Sequence, residues 1–394
     1  MDRGMTVRRS CTRNSEEGGE GMEKQTVSRW KTIAGFWLRL VCFALLAALL
    51  LSYAVYVFTP KSDYGICSMM NLYRQPRDSV DVLTVGTSLA YAGINTNVLW
   101  EEFGIAAYNL CSAEQPFWVS YYTIKEALKT QHPRVILLDA KPSIYNRDYS
   151  KRGRTILSTF GIRGLENRIG AILACVEKPQ DAIGYILGLP EVHSNYETLT
   201  GNDFVFPPDN GGRGSSWKGY IESDQVEHHQ KPSLVYNSVK RNMNEREEEY
   251  ARKIFELAQS EGICLFLLGM PNPDYANDHM YYNTLWAVAE EYGIHGINYN
   301  DPDLRFGLRY SSDFADWQHL NVKGSITFTR KLGADLKMLF DLPDHFGDPK
   351  YSSYDACAKR WYDQYPLFEF SAWEDHPLNW FDIPDPMMLD GWEE

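Results

Sequence analysis

Residues 40–58 read LVCFALLAALLLSYAVYVF, nineteen positions without a charge. At about 1.5 Å of rise per residue this run nearly crosses a hydrocarbon core of about 30 Å, which predicts one transmembrane helix. The run is long for the apolar part of a signal peptide and no small-residue cleavage pattern follows it, so an uncleaved anchor is expected. Ahead of it, residues 1–39 form a polar tail, with a Gly/Glu-rich stretch that predicts disorder over 1–30. Behind it, 59–79 read as a short connector.

From residue 80 the pattern changes to short apolar runs alternating with longer amphipathic stretches, as in β-α-β units around a parallel sheet. Strands are predicted at 80–85 (VDVLTV), 106–110 (AAYNL), 135–139 (VILLD), 264–268 (CLFLL) and, weakly, 296–299. Helices are predicted near 97–103 with Asn95 or Thr96 as cap, from Pro116 through 129, over 237–260, over 280–292 and over 322–340. Residues 161–187 carry two more helical patterns. Residues 190–232 are rich in Gly, Pro and Asn, lack a period and are long for a connection, which predicts a lid or binding insertion. The fold class expected is α/β with a parallel sheet, spanning 80–340.

Composition narrows the function. Of 394 residues 14% are aromatic, too much apolar surface for a chain disordered throughout. Acidic residues outnumber Lys and Arg by 52 to 39, which argues against binding nucleic acid by phosphate neutralisation. The net charge of -13 is uneven: eight basic residues against five acidic ones precede residue 40, a balance of +3. Lys24, Arg29, Lys31 and Arg39 crowd that flank, so the positive-inside rule puts the N-terminus in the cytoplasm and everything after the anchor outside. Residues 341–394 hold twelve aromatics and a balance of -10, from thirteen acidic and three basic groups. Its tryptophans, Trp361, Trp373, Trp380 and Trp392, are expected to pack on the outside of the core as a wrapping arm, with glycan contact as the alternative.

Beyond the anchor, Cys67, Cys111, Cys175, Cys264 and Cys357 are widely spaced and odd in number, and none sits in a zinc-type spacing, so stability must come from the core. No metal or cofactor is expected. His228-His229 read as a solvated loop pair, with metal binding as the alternative, Lys218-Gly219-Tyr220 as a turn, with contact to an anionic or sugar ligand as the alternative, and Gly201-Asn202-Asp203 as another turn.

Two short stretches carry candidate chemistry. Gly86-Thr87-Ser88 follows the first strand, and ligands of open α/β sheets collect at the carboxyl ends of strands. Glycine allows the tight exit, and a serine there presents its hydroxyl beside unpaired backbone N–H groups. Asp316-Trp317-Gln318-His319 precedes the last helix. A serine hydroxyl needs a base for its proton, and an imidazole needs an acid to fix its tautomer; His319 and Asp316 supply both from one loop.

Gly86-Thr87-Ser88-Leu89, then Tyr108-Asn109-Leu110, and finally Asp316-x-x-His319-Leu320-Asn321 resemble the blocks of the SGNH/GDSL hydrolase superfamily, in particular its membrane-anchored cell-surface branch. That branch includes proteins of alginate O-acetylation and of lipoteichoic acid D-alanylation. The resemblance covers roughly 80–340 and implies a flavodoxin-like three-layer parallel sheet, with Ser88 as nucleophile, His319 as base and Asp316 orienting it. The blocks also depart from that pattern. Thr87 replaces the usual Asp, as is common in the surface branch. The oxyanion glycine of the second block, counted from Asn109, is Glu114, whose charge opposes an oxyanion unless it points away. The third block, Gly-x-Asn-Asp, is replaced by Asp139-Ala140-Lys141-Pro142. Each missing oxyanion donor costs about 3 kcal/mol, so replacements such as Gln115 or the Leu89 backbone would be needed. Asp139 either hydrogen-bonds substrate or caps a turn.

The resemblance therefore implies a membrane-anchored serine esterase or O-acyltransferase acting on acyl esters of a cell-surface glycan or polymer. The alternatives are a non-catalytic scaffold or glycan-binding protein, and a docking partner of a membrane-embedded acyltransferase.

Overall fold

The computed structural model describes residues 16–205, 217–231, 237–275, 278–304 and 306–365, with side chains from residue 33 onward. It divides into Met1–Tyr56 and Val57–Glu394. The first unit is dominated by helix α1 (Glu16–Phe58), in which Ile33–Phe58, 26 residues, are long and apolar enough to cross a membrane. Leu38, Phe43 and Leu49 on this stretch are exposed, as side chains that face lipid would be. The stretch expected at 40–58 lies within this span, and one expectation shifts. The helix reaches back to Glu16, into the tail expected to be disordered, because Glu, Lys, Gln, Arg and Met extend a helix that the apolar run has already nucleated.

In the second unit the order is α2 (Ile66–Leu72), β1 (Val82–Gly86), α3 (Ser88–Gly93), α4 (Thr96–Phe103), β2 (Ala107–Cys111), α5 (Phe117–Ala127), β3 (Val135–Asp139), α6 (Arg152–Thr159), α7 (Leu165–Cys175), α8 (Ala182–Leu187), α9 (Leu189–Val192), α10 (Glu245–Ser260), β4 (Cys264–Gly269), α11 (His279–Glu290), β5 (His295–Asn298), α12 (Val322–Leu339) and α13 (Ser352–Gln364). The five strands form one sheet in the order β2-β1-β3-β4-β5, parallel throughout. This is the strand order of flavodoxin-like doubly wound folds, and it places the topological switch point between β1 and β3.

The three layers follow from the side-chain period of two in strands buried on both faces. Leu83, Val85, Ile136 and Leu138 pack with Trp118 of α5, Phe255 of α10 and Tyr282 of α11. Val82, Leu137 and Leu268 face the other way, onto Leu99 of α4 and Phe328 and Leu332 of α12.

Several segments differ from expectation. The connector folds into the core through α2, with Ile66, Cys67 and Leu72 fully buried. The helix expected from 237 begins at Glu245 because the Asn244 side chain accepts from the Arg246 and Glu247 N–H groups and sets the N-terminus there. In the second part of the expected insertion, Trp217 and Tyr220 are buried in a cluster with Ile326 and Trp361. The arm wraps as expected as far as it is described, with Tyr354, Cys357 and Trp361 of α13 buried. Trp373, Trp380 and Trp392 lie outside the described residues. The described cysteines are free thiols, four of them buried.

Candidate functional site

β1 leaves the sheet at Gly86, where a Cβ would overlap the Asp139 side chain at the end of β3. Only glycine permits this approach at the switch point. Thr87 follows as the N-cap of α3, its hydroxyl accepting from the Leu89 N–H at 3.3 Å. The Thr87 N–H donates to Asp139 Oδ2 at 3.0 Å and its hydroxyl donates to the same oxygen. Ser88 is therefore the first residue of α3, held by a strand end on one side and a capped turn on the other.

The opposing loop is equally constrained. Phe314 bridges Leu320, and the Ala315 N–H donates to the His319 carbonyl at 2.8 Å, closing a tight turn ahead of α12. Inside it, Asp316 Oδ1 accepts from the N–H groups of Gln318 and His319 at 2.9 and 2.8 Å. Asn321 caps α12 through the Gly324 N–H and donates to the carbonyls of Ser312 and Gln225 at 2.9 and 3.0 Å. His229 Nε2 binds the Asp316 carbonyl at 2.9 Å. These contacts fix the loop from outside, and sequence reasoning missed them because Gln225 and His229 sit in a stretch with no period.

Across the switch point the two loops meet. His319 Nε2 is 2.7 Å from Ser88 Oγ, and His319 Nδ1 is 2.7 Å from Asp316 Oδ2. With Nδ1 donating to the carboxylate, Nε2 is left as the acceptor for the serine proton. Burial pushes the Asp316 carboxyl up, but the hydrogen bond and charge of His319 and the two backbone N–H groups outweigh it, so Asp316 is held below the ordinary carboxylate range. Ser88 is 8% exposed, and Trp317, between Asp316 and His319 in sequence, is 55% exposed.

The remaining candidates have other engagements. The Leu89 side chain lies in the core and its N–H is taken by Thr87. Asn109 donates its amide to the Ile94 carbonyl at 2.8 Å, at the end of α3. The Gln115 amide donates to Ser120 Oγ at 3.1 Å. Asp139 is fully buried and accepts from Thr87 and from the Lys141 N–H at 2.9 Å, so its carboxylate is turned to the turn it caps. Its carboxyl is pushed up by burial.

Glu114 has φ 51, the left-handed region where the resemblance expects a glycine. Its side chain is paired with Arg147 and Arg154, at 2.5 and 3.0 Å, and the Arg147 guanidinium also donates to its carbonyl at 2.8 Å. Burial pushes the carboxyl up, but the two arginines outweigh it and hold it below the ordinary range. The adverse charge is thus neutralised. The two arginines were illegible in sequence, standing 33 and 40 positions from Glu114 with no shared motif.

Among the described residues no group of three or more His, Cys, Asp or Glu is placed to hold an ion. Lys218 is buried, donating to Gln75 and Ser353 at 2.6 and 2.7 Å. Compared with known proteins, the chain matches no family model and no curated sequence, so the geometry of the site carries the functional reading.

Proposed function

We propose that this chain is a membrane-anchored, SGNH-like serine esterase or O-acyltransferase acting on acyl esters of a cell-surface glycan or polymer, with its N-terminus in the cytoplasm and the α/β unit outside. The observation that carries the reading is the hydrogen-bonded line from Asp316 through His319 to Ser88. His319 Nε2 takes the Ser88 proton as Oγ attacks the ester carbonyl. The tetrahedral oxyanion develops beside the Ser88 N–H, which, as the first of α3, has no intrahelical carbonyl to bond. Collapse breaks the bond to the alcohol oxygen, which leaves with the proton from His319, and an acyl-Ser88 remains. Water or a sugar hydroxyl then gives its proton to His319 and takes the acyl group, and His319 returns that proton to Ser88 Oγ as the acyl bond to it breaks.

A non-catalytic scaffold, or partner of a membrane acyltransferase, is the second reading. It is favoured by one observation: Asp139, at the end of β3, is committed to Thr87 and the Lys141 N–H, so its carboxylate is taken up by the turn and not offered to a substrate. Hydrolysis of a chromogenic acetyl ester by the full-length protein separates the two. The enzyme reading expects turnover that falls by about a thousandfold or more in His319→Ala; wild-type turnover no greater than that of the variant contradicts it.

A further inference from the structure

The stretch from Ala182 to Val205 has two unlike sides. Ala182, Val192 and Asn195 are buried, and Val192 packs in a cluster with Ile66, Ile156 and Leu157, against which Phe58 also rests. The other side shows Ile183, Leu187, Tyr196, Phe204 and Val205 to solvent, each between 48% and 61% exposed. So many large apolar side chains on one short segment mark a contact surface.

Its place in the chain says what it touches. Asn195 donates its amide to the carbonyl of Phe58, the last residue of the apolar span, at 2.9 Å. Three residues beyond Phe58, Lys61 lies 3.9 Å from Asp203, the residue before the exposed Phe204. The segment is thus tied to the point where the chain leaves the span. No Lys or Arg occurs between 182 and 205. Its acidic groups are engaged, Glu191 by Arg152, Glu197 by the Tyr196 hydroxyl and Asp203 by Thr200. Of the three carboxylates only Glu191 and Asp203 have a cation beside them, Arg152 and Lys61, so the stretch is rich in exposed apolar side chains, carries little charge for an anionic headgroup to attract, and includes an exposed tyrosine, the chemistry that seats in the headgroup region of a bilayer.

We propose that the outer side of residues 182–205 is a membrane-contact surface that rests in the interfacial layer of the bilayer crossed by α1, through apolar insertion and without a need for anionic lipid. The proposal rests on α1 crossing the bilayer and is independent of the chemistry at Ser88. It is tested on the full-length protein in phosphatidylcholine liposomes containing a diazirine-tagged phosphatidylcholine, with adducts mapped by mass spectrometry after illumination. Adducts are expected in 33–58 and in 182–205, with none at Met338 and Leu339, which are exposed and apolar elsewhere in the unit. A triple variant, Ile183→Asp, Leu187→Asp and Phe204→Asp, should lower the yield at 182–205 by about fivefold or more and leave that at 33–58 unchanged. Because these side chains are exposed, the variant keeps its fold, checked by circular dichroism. Adducts confined to 33–58, or equally strong at Met338, overturn the contact surface alone. Absence of adducts from 33–58 as well overturns the membrane span, and the contact surface with it.

Discussion

Ser88 Oγ and His319 Nε2 lie 2.7 Å apart across 231 positions of sequence. The contact is made by two constrained loops, one leaving the sheet at Gly86 and the other closed by Phe314 and Leu320 ahead of α12. Neither loop is held by its own sequence alone. Asp139 fixes the first from β3, and Asn321 and His229 fix the second.

Asp316 should act through the tautomer and charge of His319. Asp316→Asn keeps the shape but offers an amide to Nδ1, and the rate of acyl transfer should fall by about 10⁴. Because Asp316 is held below the ordinary carboxylate range, it stays ionised from about pH 5 upward, and its folded-state advantage is lost only as the pH falls through that lowered value. The acid limb of the rate profile should therefore have the slope of one protonation. A slope of two between pH 5 and pH 8 would contradict the assignment.

Asp139 carries the opposite sign. Its carboxyl is pushed above the ordinary range of about 4, so over that window the native state binds more protons than the unfolded chain. Its contribution favours folding in acid and is lost as the pH rises through the raised value. Asp139→Asn should remove that slope from urea-denaturation curves measured across pH. The variant should also be less stable by about 1–3 kcal/mol, because one amide oxygen cannot serve both Thr87 and the Lys141 N–H. An unchanged pH slope would show that Asp139 titrates normally.

Arg147 and Arg154 should matter through Glu114. Replacing both with alanine leaves a carboxylate unpaired on the loop after β2, and labelling of Ser88 by an acyl-mimicking probe should slow by about tenfold. Adding Glu114→Gly should restore the rate, since glycine removes the charge and suits φ 51. Failure of the added glycine to restore it would place the arginines' effect elsewhere.

Trp361 is fully buried between α13 and the α4 side of the core. Trp361→Ala should cost about 3–5 kcal/mol in urea denaturation while leaving Ser88 reactivity nearly unchanged at temperatures where the variant is folded. A cost below about 1 kcal/mol would mean that the arm does not brace the unit.

Much of this fold was legible because β1 to β4 are buried on both faces and appear as mainly apolar runs, interrupted by Thr84 in β1 and Asn109 in β2; β3 at Val135–Asp139 is where VILLD stands in the sequence. α3 was not legible, since the six residues SLAYAG do not complete two helical turns and leave no period to read. α2 hid for the same reason. The triad could be read because Asp316 and His319 share one loop and Ser88 follows a strand. The residues that hold it could not: Thr87 and Asp139 are 52 positions apart and joined only by the β1–β3 crossover. Glu114 looked adverse in sequence because its compensating charges come from a loop and from α6, which no local pattern connects to it.

The central claim is that Ser88 is an activated nucleophile. A fluorophosphonate probe reacts with such a serine and not with an ordinary one, so the most direct measurement is labelling of the full-length protein, with the modified residue identified by mass spectrometry. Covalent labelling at Ser88, lost in Ser88→Ala and strongly reduced in His319→Ala, is the predicted result. Absence of labelling in folded wild-type protein, or labelling that persists in Ser88→Ala, would contradict it.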